Sequence, residues 1–474
     1  MKNKLSQFLV DAKECLVKTV DLLSKDFDYV SILATDTDST NYMVSKSITR
    51  VGEGMDSERG FVARVYNNDY YGEVSFDKLQ SPEELSKMIK KEIEENYKFY
   101  KENNFSMRKY SLIDEEEFIK DFSSDLEISL DEMSVQEKIN YLTDIKDKML
   151  KESDLVVSAR AMYIETEVRK LFVSKKMCLN QAYTFTSVMA EADVQKDDDF
   201  RYDYKGVSRL GGLEVLKELD KIYKEVVHNA IELLGSELVK PGYYDLISAP
   251  DITGLLAHEA FGHGVEMDMF VKDRALAKDY VNKRVASDIT TMHDGATAIG
   301  ECSSYSFDDE GTLASDTVII ENGILRRGMA DKLSAMSLGV KPTGNGKRES
   351  FRRKAYTRMT NTFFEGGKDS VDDMIKSIDY GFLLDGMNNG MEDPKNWGIQ
   401  CTAMKAREIK DGKLTGKVFS PATLTGYVPD VLESISMVSG EIEMNGSGYC
   451  GKGYKEWVKT STGGSYLKFK GRLS

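Results

Sequence analysis

The sequence predicts an α+β protein with an N-terminal α/β domain over residues 1–234 and a C-terminal, mainly antiparallel β domain over residues 235–474 that carries one functional helix. Three observations support this prediction. Helical apolar spacing and two helix-capping patterns alternate with strand patterns in the first half. Hairpin turns that contain glycine recur in the second half. Between the halves, residues 235–242 combine two glycines with Pro241 and are the best candidate for a linker.

Periodicity predicts the elements of the N-terminal half. Apolar residues at helical spacing indicate a helix over residues 5–25. Runs that are rich in β-branched and aromatic residues then predict four strands, with a turn at residues 67–69 before the last one. These strands cover residues 29–34, 42–51, 61–66 and 71–76.

Two capping boxes, at residues 81–84 and 134–137, predict helix starts, because a serine followed three residues later by glutamate satisfies backbone N–H groups at a helix end. Further strands are expected, and a helix over residues 213–234 closes this half. The strands cover residues 155–165, 168–174 and 182–192.

The C-terminal half begins with a strand at residues 243–249, followed by a helix that Asp251 can cap. Hairpins are expected at residues 318–325 and 406–419, where Asn-Gly and Asp-Gly pairs favour tight turns. This pattern predicts a rigid, mainly antiparallel sheet scaffold that holds one functional helix.

Composition excludes several functional classes. The chain has 474 residues, a formal net charge of −15 and five cysteines. The negative charge argues against a nucleic-acid-binding surface, because phosphate contacts need clustered lysine and arginine. An odd number of cysteines without a disulfide framework fits a reducing cytoplasm. Because no signal peptide or membrane span is visible, we expect a cytoplasmic protein without nucleic-acid or membrane partners.

The central motif is an HExxxH pattern formed by His258, Glu259 and His263. Imidazoles can hold zinc, and a carboxylate beside them can take a proton from a metal-bound water. In the familiar zinc-protease pattern the histidines lie four residues apart, whereas these lie five apart, about 140° around an ideal α-helix. Both rings therefore reach one ion only if the helix contains a π-type bulge or ends between them. Glycines flank the second histidine, and we predict a distorted turn over residues 261–264.

A catalytic zinc usually has a third protein ligand and one open position. Glu266, Asp268, His293 and Cys450 are the candidates for this ligand. Cys450 is the most suggestive, because neighbouring glycines leave its thiolate room to approach a metal and Lys452 would favour the ionised form. The other four cysteines are expected to pack in the core.

Two further polar stretches are candidates for roles near the site. Asp308, Asp309 and Glu310 either orient the metal ligands or form a solvated turn. Arg358 and Asn361, if they line the cleft, would hold the backbone of a bound peptide. The alternative for these two residues is hydrogen bonding at a strand end.

Four sequence blocks carry a resemblance to a known family. They are HExxxH at 258–263, SFDDEG at 306–311, TRMTNT at 357–362 and GYCGK at 448–452. In this order they resemble the TldD/PmbA family, formerly called modulators of DNA gyrase, and within it the TldD-type subunit. The resemblance continues, more weakly, through the N-terminal half. The chain departs from the family pattern after the last block, where Gly-Tyr-Lys at 453–455 replaces a spacer and Gly-Gln.

The resemblance implies a zinc-dependent peptidase that acts on unfolded peptides or proteins. His258, His263 and Cys450 would be the ligands of Zn²⁺ and Glu259 the base. The resemblance also implies a dimer with a second copy or with a PmbA/TldE-type paralogue. The alternative is a non-catalytic assembly or regulatory subunit with structural zinc. Glu259 favours catalysis, because a structural zinc site does not need this carboxylate.

Overall fold

A computed structural model describes residues 2–67, 70–105, 110–454 and 456–474 of the chain. It confirms the predicted α+β class, with helices and largely antiparallel sheets in both halves. Residues 68 and 69 of the predicted turn lie outside the described residues, as does the last residue of the divergent 453–455 segment. Within the described ranges, no helix is long and apolar enough to cross a membrane.

Helices and long strands alternate in the N-terminal half. In chain order the elements are α1 (Gln7–Leu23), β1 (Tyr29–Ser45), β2 (Thr49–Glu53), β3 (Glu58–Asn67), β4 (Tyr70–Phe76), α2 (Pro82–Glu102), β5 (Phe118–Ser123), α3 (Val135–Glu152), β6 (Val156–Ser174), β7 (Met177–Lys196), β8 (Asp199–Leu210) and α4 (Glu218–Glu232). Both capping boxes are confirmed: Ser81 and Ser134 accept hydrogen bonds from the backbone N–H groups of Glu84 and Glu137.

Strands β1 to β8 form one sheet in the order β4-β3-β1-β6-β7-β5, with β2 on β1 and β8 on β7. Strands β1 and β6 are longer than predicted. Thr35 and Asp36 interrupt the apolar pattern of β1, but its backbone pairing with β6 continues through them. Helices α1 and α2 pack on one apolar cluster of this sheet, and α3 and α4 pack on another. Burial of these amphipathic helix faces is the main source of their stability.

The C-terminal half consists of shorter strands and helices. In chain order they are β9 (Gly242–Ser248), α5 (Pro250–Leu255), α6 (Met267–Val271), β10 (Met292–Asp294), β11 (Thr317–Glu321), β12 (Ile324–Leu325), α7 (Lys332–Leu338), β13 (Gly346–Lys347), β14 (Tyr356–Thr357), β15 (Asn361–Phe364), α8 (Val371–Lys376), β16 (Tyr380–Asp393), β17 (Gly398–Lys410), β18 (Lys413–Phe419), β19 (Ala422–Tyr427), α9 (Val428–Glu433), β20 (Met437–Val438), β21 (Glu443–Asn445), β22 (Tyr449–Lys452), β23 (Glu456–Lys459), β24 (Ser461–Gly464) and β25 (Leu467–Leu473). Both predicted hairpin turns are confirmed, since the Asn322-Gly323 and Asp411-Gly412 pairs have positive φ at both positions.

Two larger sheets enclose the motif helix. One has the order β16-β9-β25-β19-β17-β18 and the other β12-β11-β10-β15-β24-β21. Pairing is mostly antiparallel, with parallel pairs β9–β16 and β15–β24. Leu256, Ala260 and Phe261 of the motif segment belong to the same buried cluster as residues from both sheets. The motif is therefore fixed in the centre of this half.

Asp251 does not cap helix α5, contrary to the prediction. The helix starts at Pro250, Ala249 takes the N-cap position, and no side chain caps it. Asp251 instead accepts the backbone N–H of Met387 at 2.7 Å and ties the helix to β16. Burial, followed by the neighbouring Asp385 carboxylate, raises the pKa of Asp251 to about 6.

The acidic residues 308–310 lie in the contact between the two halves. Asp309 pairs with Lys170 of β6, and Glu310 pairs with Arg64 of β3. All three acidic side chains are buried. The solvated-turn alternative is therefore wrong: Asp309 and Glu310 join the halves through these two ion pairs, whereas Asp308 accepts backbone N–H groups of its own half. In the described residues no sheet contains strands from both halves, and the domain boundary at residue 234 stays a prediction.

Candidate metal centre

A π-helical segment, Leu256–Gly262, carries the first histidine, and a short 3₁₀ turn, His263–Val265, carries the second. The backbone N–H of His263 donates to the carbonyl of His258, five residues earlier, which is the hydrogen bond that defines a π-turn. The predicted distortion is confirmed, although it begins at residue 256 instead of 261. A methyl group at Gly262 would lie 2.3 Å from Sδ of Met359, so close packing also restricts this position to glycine.

The ligand atoms of His258, His263 and Cys450 all lie within 4.8 Å of one another. Sγ of Cys450 is 3.4 Å from Nε2 of His263, and the two imidazole rings are 4.9 Å apart and nearly perpendicular. Zinc bonds of about 2.3 Å to sulfur and 2.1 Å to nitrogen give a tetrahedral S–N edge of roughly 3.6 Å. The observed separation fits an ion of this size. Within the described part of the chain, this is the one such cluster of His, Cys, Asp and Glu side chains found.

Cys450 reaches the cluster from hairpin β22–β23, where it pairs with Val458. Burial raises the pKa of its thiol, but the imidazoles of His258 and His263 lower it more, and the pKa lies well below its ordinary value. The thiolate is the form that binds metals. Of the four candidates for the third ligand, Cys450 is the one that the structure brings to both histidines.

Glu266 contacts the opposite side of His263. Its Oε2 lies 3.1 Å from Nδ1 of His263, which leaves Nε2 of that ring directed at Cys450. Carboxylates in this position fix the orientation and tautomer of a metal-binding histidine. Burial raises the pKa of Glu266, but the ammonium of Lys452 and then His263 lower it further, so the net shift is downward.

The remaining candidates, Asp268 and His293, lie outside the cluster. Asp268 pairs with Lys452 at 2.7 Å. Nδ1 of His293 lies 2.8 Å from Asp316, and its ring stacks on Phe363. Lys452 was expected beside the thiolate, but its ammonium contacts carboxylates instead. The two imidazoles, not Lys452, therefore favour the ionised form of the cysteine.

Glu259 lines a cavity of about 190 Å³ together with His258. Met387, Gly390 and Tyr449 are among the other residues of its walls. Gly390 lies directly against the glutamate, since a methyl group there would be 2.5 Å from Cγ of Glu259. A carboxylate beside a metal ligand and an open cavity is placed to accept a proton from water.

Glu392 is a half-buried acidic residue near the site, with buried carboxylate oxygens, that the sequence did not reveal. Neither carboxylate oxygen has a hydrogen-bond partner among the described residues. A methyl group at Gly264 would lie 2.8 Å from its Oε1. Burial raises the pKa of Glu392 well above its ordinary value, and Glu259 adds to this shift. The one available signal was its place on β16, two residues after Gly390 and thus on the same face.

Arg358 and Asn361 lie in the interior, with exposed fractions of 1% and 0%. Arg358 donates to the backbone carbonyls of Cys450 and Glu456. The amide of Asn361 donates to two carbonyls and a serine hydroxyl in the loop after β10. This burial argues against contact with a peptide and corrects that prediction. It favours the alternative, hydrogen bonding within the fold.

A second, larger cavity of about 670 Å³ adjoins the first, because Met387 and Asn445 line both. Strands β8 and β21 contribute to its walls. Both strands are at the ends of their sheets in the described chain, so each presents an edge. The hydroxyl of Tyr204 on β8 donates to the carbonyl of Met387 where the two cavities meet.

The α+β fold and an imidazole–thiolate cluster beside a cavity-lining glutamate define a protein of the metallopeptidase type. Residues 241–471 match the family model described as the PmbA/TldA metallopeptidase C-terminal domain. The chain belongs to the TldD/PmbA family, which confirms the resemblance seen in the four sequence blocks.

Relatives of known sequence support this assignment. The chain is 38% identical over 235 residues to a metalloprotease TldD homolog of Buchnera aphidicola, a match that covers 49% of this chain and 48% of that protein. This match therefore spans about half the length of that relative. A metalloprotease of Methanocaldococcus jannaschii is 29% identical over 83% of this chain and 85% of its own. A zinc metalloprotease TldD homolog of Saccharolobus solfataricus is 26% identical over 71% and 75%.

Solved structures share the fold over almost the whole chain. A modulator of DNA gyrase from Thermotoga maritima superimposes with a TM-score of 0.77 at 18% identity, covering 96% of this chain and 98% of the other. TldE from Thermococcus kodakarensis gives a TM-score of 0.73 at 20% identity, with the same coverage. At these identities the likeness concerns the fold alone.

Proposed function

We propose that the protein is a zinc-dependent peptidase that hydrolyses peptide bonds in unfolded peptides or proteins. The observation that carries this proposal is the convergence of His258, His263 and Cys450 beside Glu259, which lines an open cavity. The metalloprotease names of the relatives support the same reaction class.

The donor set fits zinc. Two imidazole nitrogens and one thiolate sulfur are typical zinc ligands, and three protein ligands leave one position for water. When bound, zinc supplies a Lewis acid that polarises the scissile carbonyl and acidifies a water molecule. Cys450, being a thiolate, would leave that ion less electrophilic than a third histidine would, and we expect modest turnover.

Glu259 would act as the general base and then as the general acid. Its carboxylate borders the cavity next to His258, so it can accept a proton from water and later deliver it to the leaving amine. Gly390 leaves room for this side chain and limits its position from the other side. Close contact with Gly390 therefore supports a fixed position for Glu259, the proposed base.

The cavities favour an extended substrate. Strands β8 and β21 border the larger cavity and have free edges, so a peptide can add to one of them through main-chain hydrogen bonds. Such binding requires little side-chain recognition and excludes folded proteins, whose backbone groups are already paired. We therefore assign unfolded chains as the substrate class.

We further propose that the protein acts in the cytoplasm as a dimer. Its partner would be a second copy or a PmbA/TldE-type paralogue, a possibility that the fold shared with TldE supports. The net charge of −15 argues against nucleic acid as a partner.

Substituting Glu259→Gln tests the proposal. The variant keeps the size of the side chain but loses the base, so cleavage of an unfolded peptide pool should fall by roughly 10²- to 10⁴-fold. Zinc content by metal analysis and the circular dichroism spectrum should stay unchanged. If the unaltered protein binds zinc but cleaves no peptide, and Glu259→Gln behaves identically, the alternative of a structural zinc subunit is correct.

A further inference from the structure

The cluster is assembled from two arms of the chain that are 187 residues apart in sequence. One arm is the motif helix with His263, and the other is hairpin β22–β23 with Cys450. Three charged side chains lie between the arms: Glu266, Arg358 and Lys452. Their exposed fractions are 1%, 1% and 12%.

Glu266 contacts residues of both arms. Its Oε2 lies 3.1 Å from Nδ1 of His263 and 2.9 Å from Nζ of Lys452. Its Oε1 lies 4.0 Å from Nε of Arg358, and neither of these two atoms has a hydrogen-bond partner among the described residues. One carboxylate therefore meets a metal-binding ring and two cations.

Both cations hold the hairpin. Arg358 donates to the carbonyl of Cys450 itself on β22 and to the carbonyl of Glu456 on β23, at 3.0 Å for the second. Lys452 follows Cys450 by two residues and also donates to the carbonyl of Thr357. The planar guanidinium can bridge two fixed acceptors, which a lysine ammonium does with less geometric precision.

We propose that Glu266, Arg358 and Lys452 form a positioning network that sets the separation of His263 and Cys450, and so holds the thiolate within reach of the metal. Buried charges of this kind are stable only when paired. Removal of one member leaves the others unpaired and lets the hairpin move away from the helix. The proposal rests on the proposed function only for the metal, since the network acts on the ligands and not on the peptide.

The test uses Co²⁺ in the full-length protein, because the absorption of cobalt reports its ligands. Bound thiolate gives a near-ultraviolet sulfur-to-cobalt charge-transfer band. Glu266→Gln preserves shape but removes the charge that both cations face. We expect Co²⁺ and Zn²⁺ affinity, measured against a competing chelator, to fall about 10- to 100-fold with a weaker band.

Arg358→Lys is the second variant, because it keeps the positive charge and loses the bridge between two carbonyls. We expect a loss of the charge-transfer band out of proportion to any loss of the cobalt d–d bands, as the sulfur alone is displaced. Lys278→Met is the matched control. Lys278 is exposed and pairs with the exposed Asp273 at 3.0 Å, which contacts no member of the network, so its loss should change neither band.

Unchanged affinity and an unchanged charge-transfer band in both network variants would overturn the proposal. Equal loss of folded structure and metal binding in both would also overturn it, because the network would then serve folding alone. If the unaltered protein shows the band and the two network variants weaken it as expected, but no peptide is cleaved, the proposed function fails and the positioning network stands.

Discussion

The two arms of the metal site are built in different ways. The helix arm holds His258 and His263 by a local distortion, the π-segment Leu256–Gly262, inside the core of one half. The hairpin arm holds Cys450 by contacts with distant elements. The hydroxyl of Tyr449 donates to Asp56 at 2.5 Å, in the loop between β2 and β3.

Further contacts show the same dependence of the hairpin on the N-terminal sheet. The ammonium of Lys459, paired with Tyr449 across the hairpin, lies within 3.4 Å of the hydroxyls of Ser187 and Ser208. Two of the proposed ligands, His258 and His263, therefore depend on local backbone geometry, whereas Cys450 depends on contact between the halves. Four substitutions test this difference between the helix arm and the hairpin arm.

The largest effect is expected from Cys450→Ser, which removes the proposed metal ligand on the hairpin arm. A hydroxyl is a poor zinc ligand, so metal affinity should fall by more than the roughly 100-fold that loss of an outer partner costs. Peptide cleavage should disappear with it. Zinc content after dialysis measures the first effect and product mass spectrometry the second. Cys302→Ser, at a buried cysteine outside the cluster, should keep its metal.

Gly390→Ala tests whether the position of Glu259 on the helix arm controls the rate of peptide cleavage. The added methyl group would lie 2.5 Å from Cγ of Glu259 and must displace this side chain. A shift of about 1 Å in a catalytic group can cost about 100-fold in rate, so kcat should fall by this order while zinc content stays constant. Gly300→Ala is the control, because its methyl group meets nothing within 4 Å and Gly300 lines neither of the two cavities. Equal rates for the two variants would contradict this placement of the base.

Tyr449→Phe tests whether contact between the hairpin arm and the N-terminal half affects zinc affinity. The change removes one hydrogen bond to Asp56, worth about 1 kcal/mol, and should weaken zinc binding roughly fivefold. Tyr454→Phe lies on the same hairpin but is 92% exposed and should have no effect. Competition with a chelator measures both variants. Identical affinities would mean that the N-terminal sheet does not position Cys450.

Glu58→Gln is expected to have the smallest effect on the metal site. Burial raises the pKa of Glu58 to about 7 from 4.5, so the folded protein holds a proton that the unfolded chain releases. The stability that this proton contributes is complete below pH 4.5 and is lost as the pH rises towards 7. The variant should therefore lose less unfolding free energy over this range in denaturant titrations, with unchanged zinc affinity. Glu94→Gln, on the exposed face of α2, should reproduce the unaltered profile.

Local sequence patterns were sufficient to predict much of the fold. The capping serines Ser81 and Ser134 and the turns at Asn322 and Asp411 were predictable, because each acts through neighbours within a few residues. The π-distortion was predictable for the same reason, since two histidines five residues apart cannot share an ion on a regular helix. Asp251 was misjudged because its true partner, the N–H of Met387, is distant in sequence.

The site was predictable in its chemistry but only partly in its geometry. Spacing alone left four candidates for the third ligand; the neighbouring glycines and Lys452 favoured Cys450, and the family resemblance implied the same residue. Arg358 and Asn361 were assigned to substrate because sequence does not reveal burial. Glu392 was missed because a charged residue near the end of a strand usually faces solvent, and its spacing from Gly390 was the one signal available.

Because the two arms are far apart in sequence, their residues are synthesised at different times. His258 and His263 are synthesised long before Cys450, so an unfinished chain offers an ion the two imidazoles without the Cys450 thiolate. The three proposed ligands can therefore come together only after the last of them has been synthesised. Completion waits for the docking of sequence-distant strands, which is among the slower events of folding.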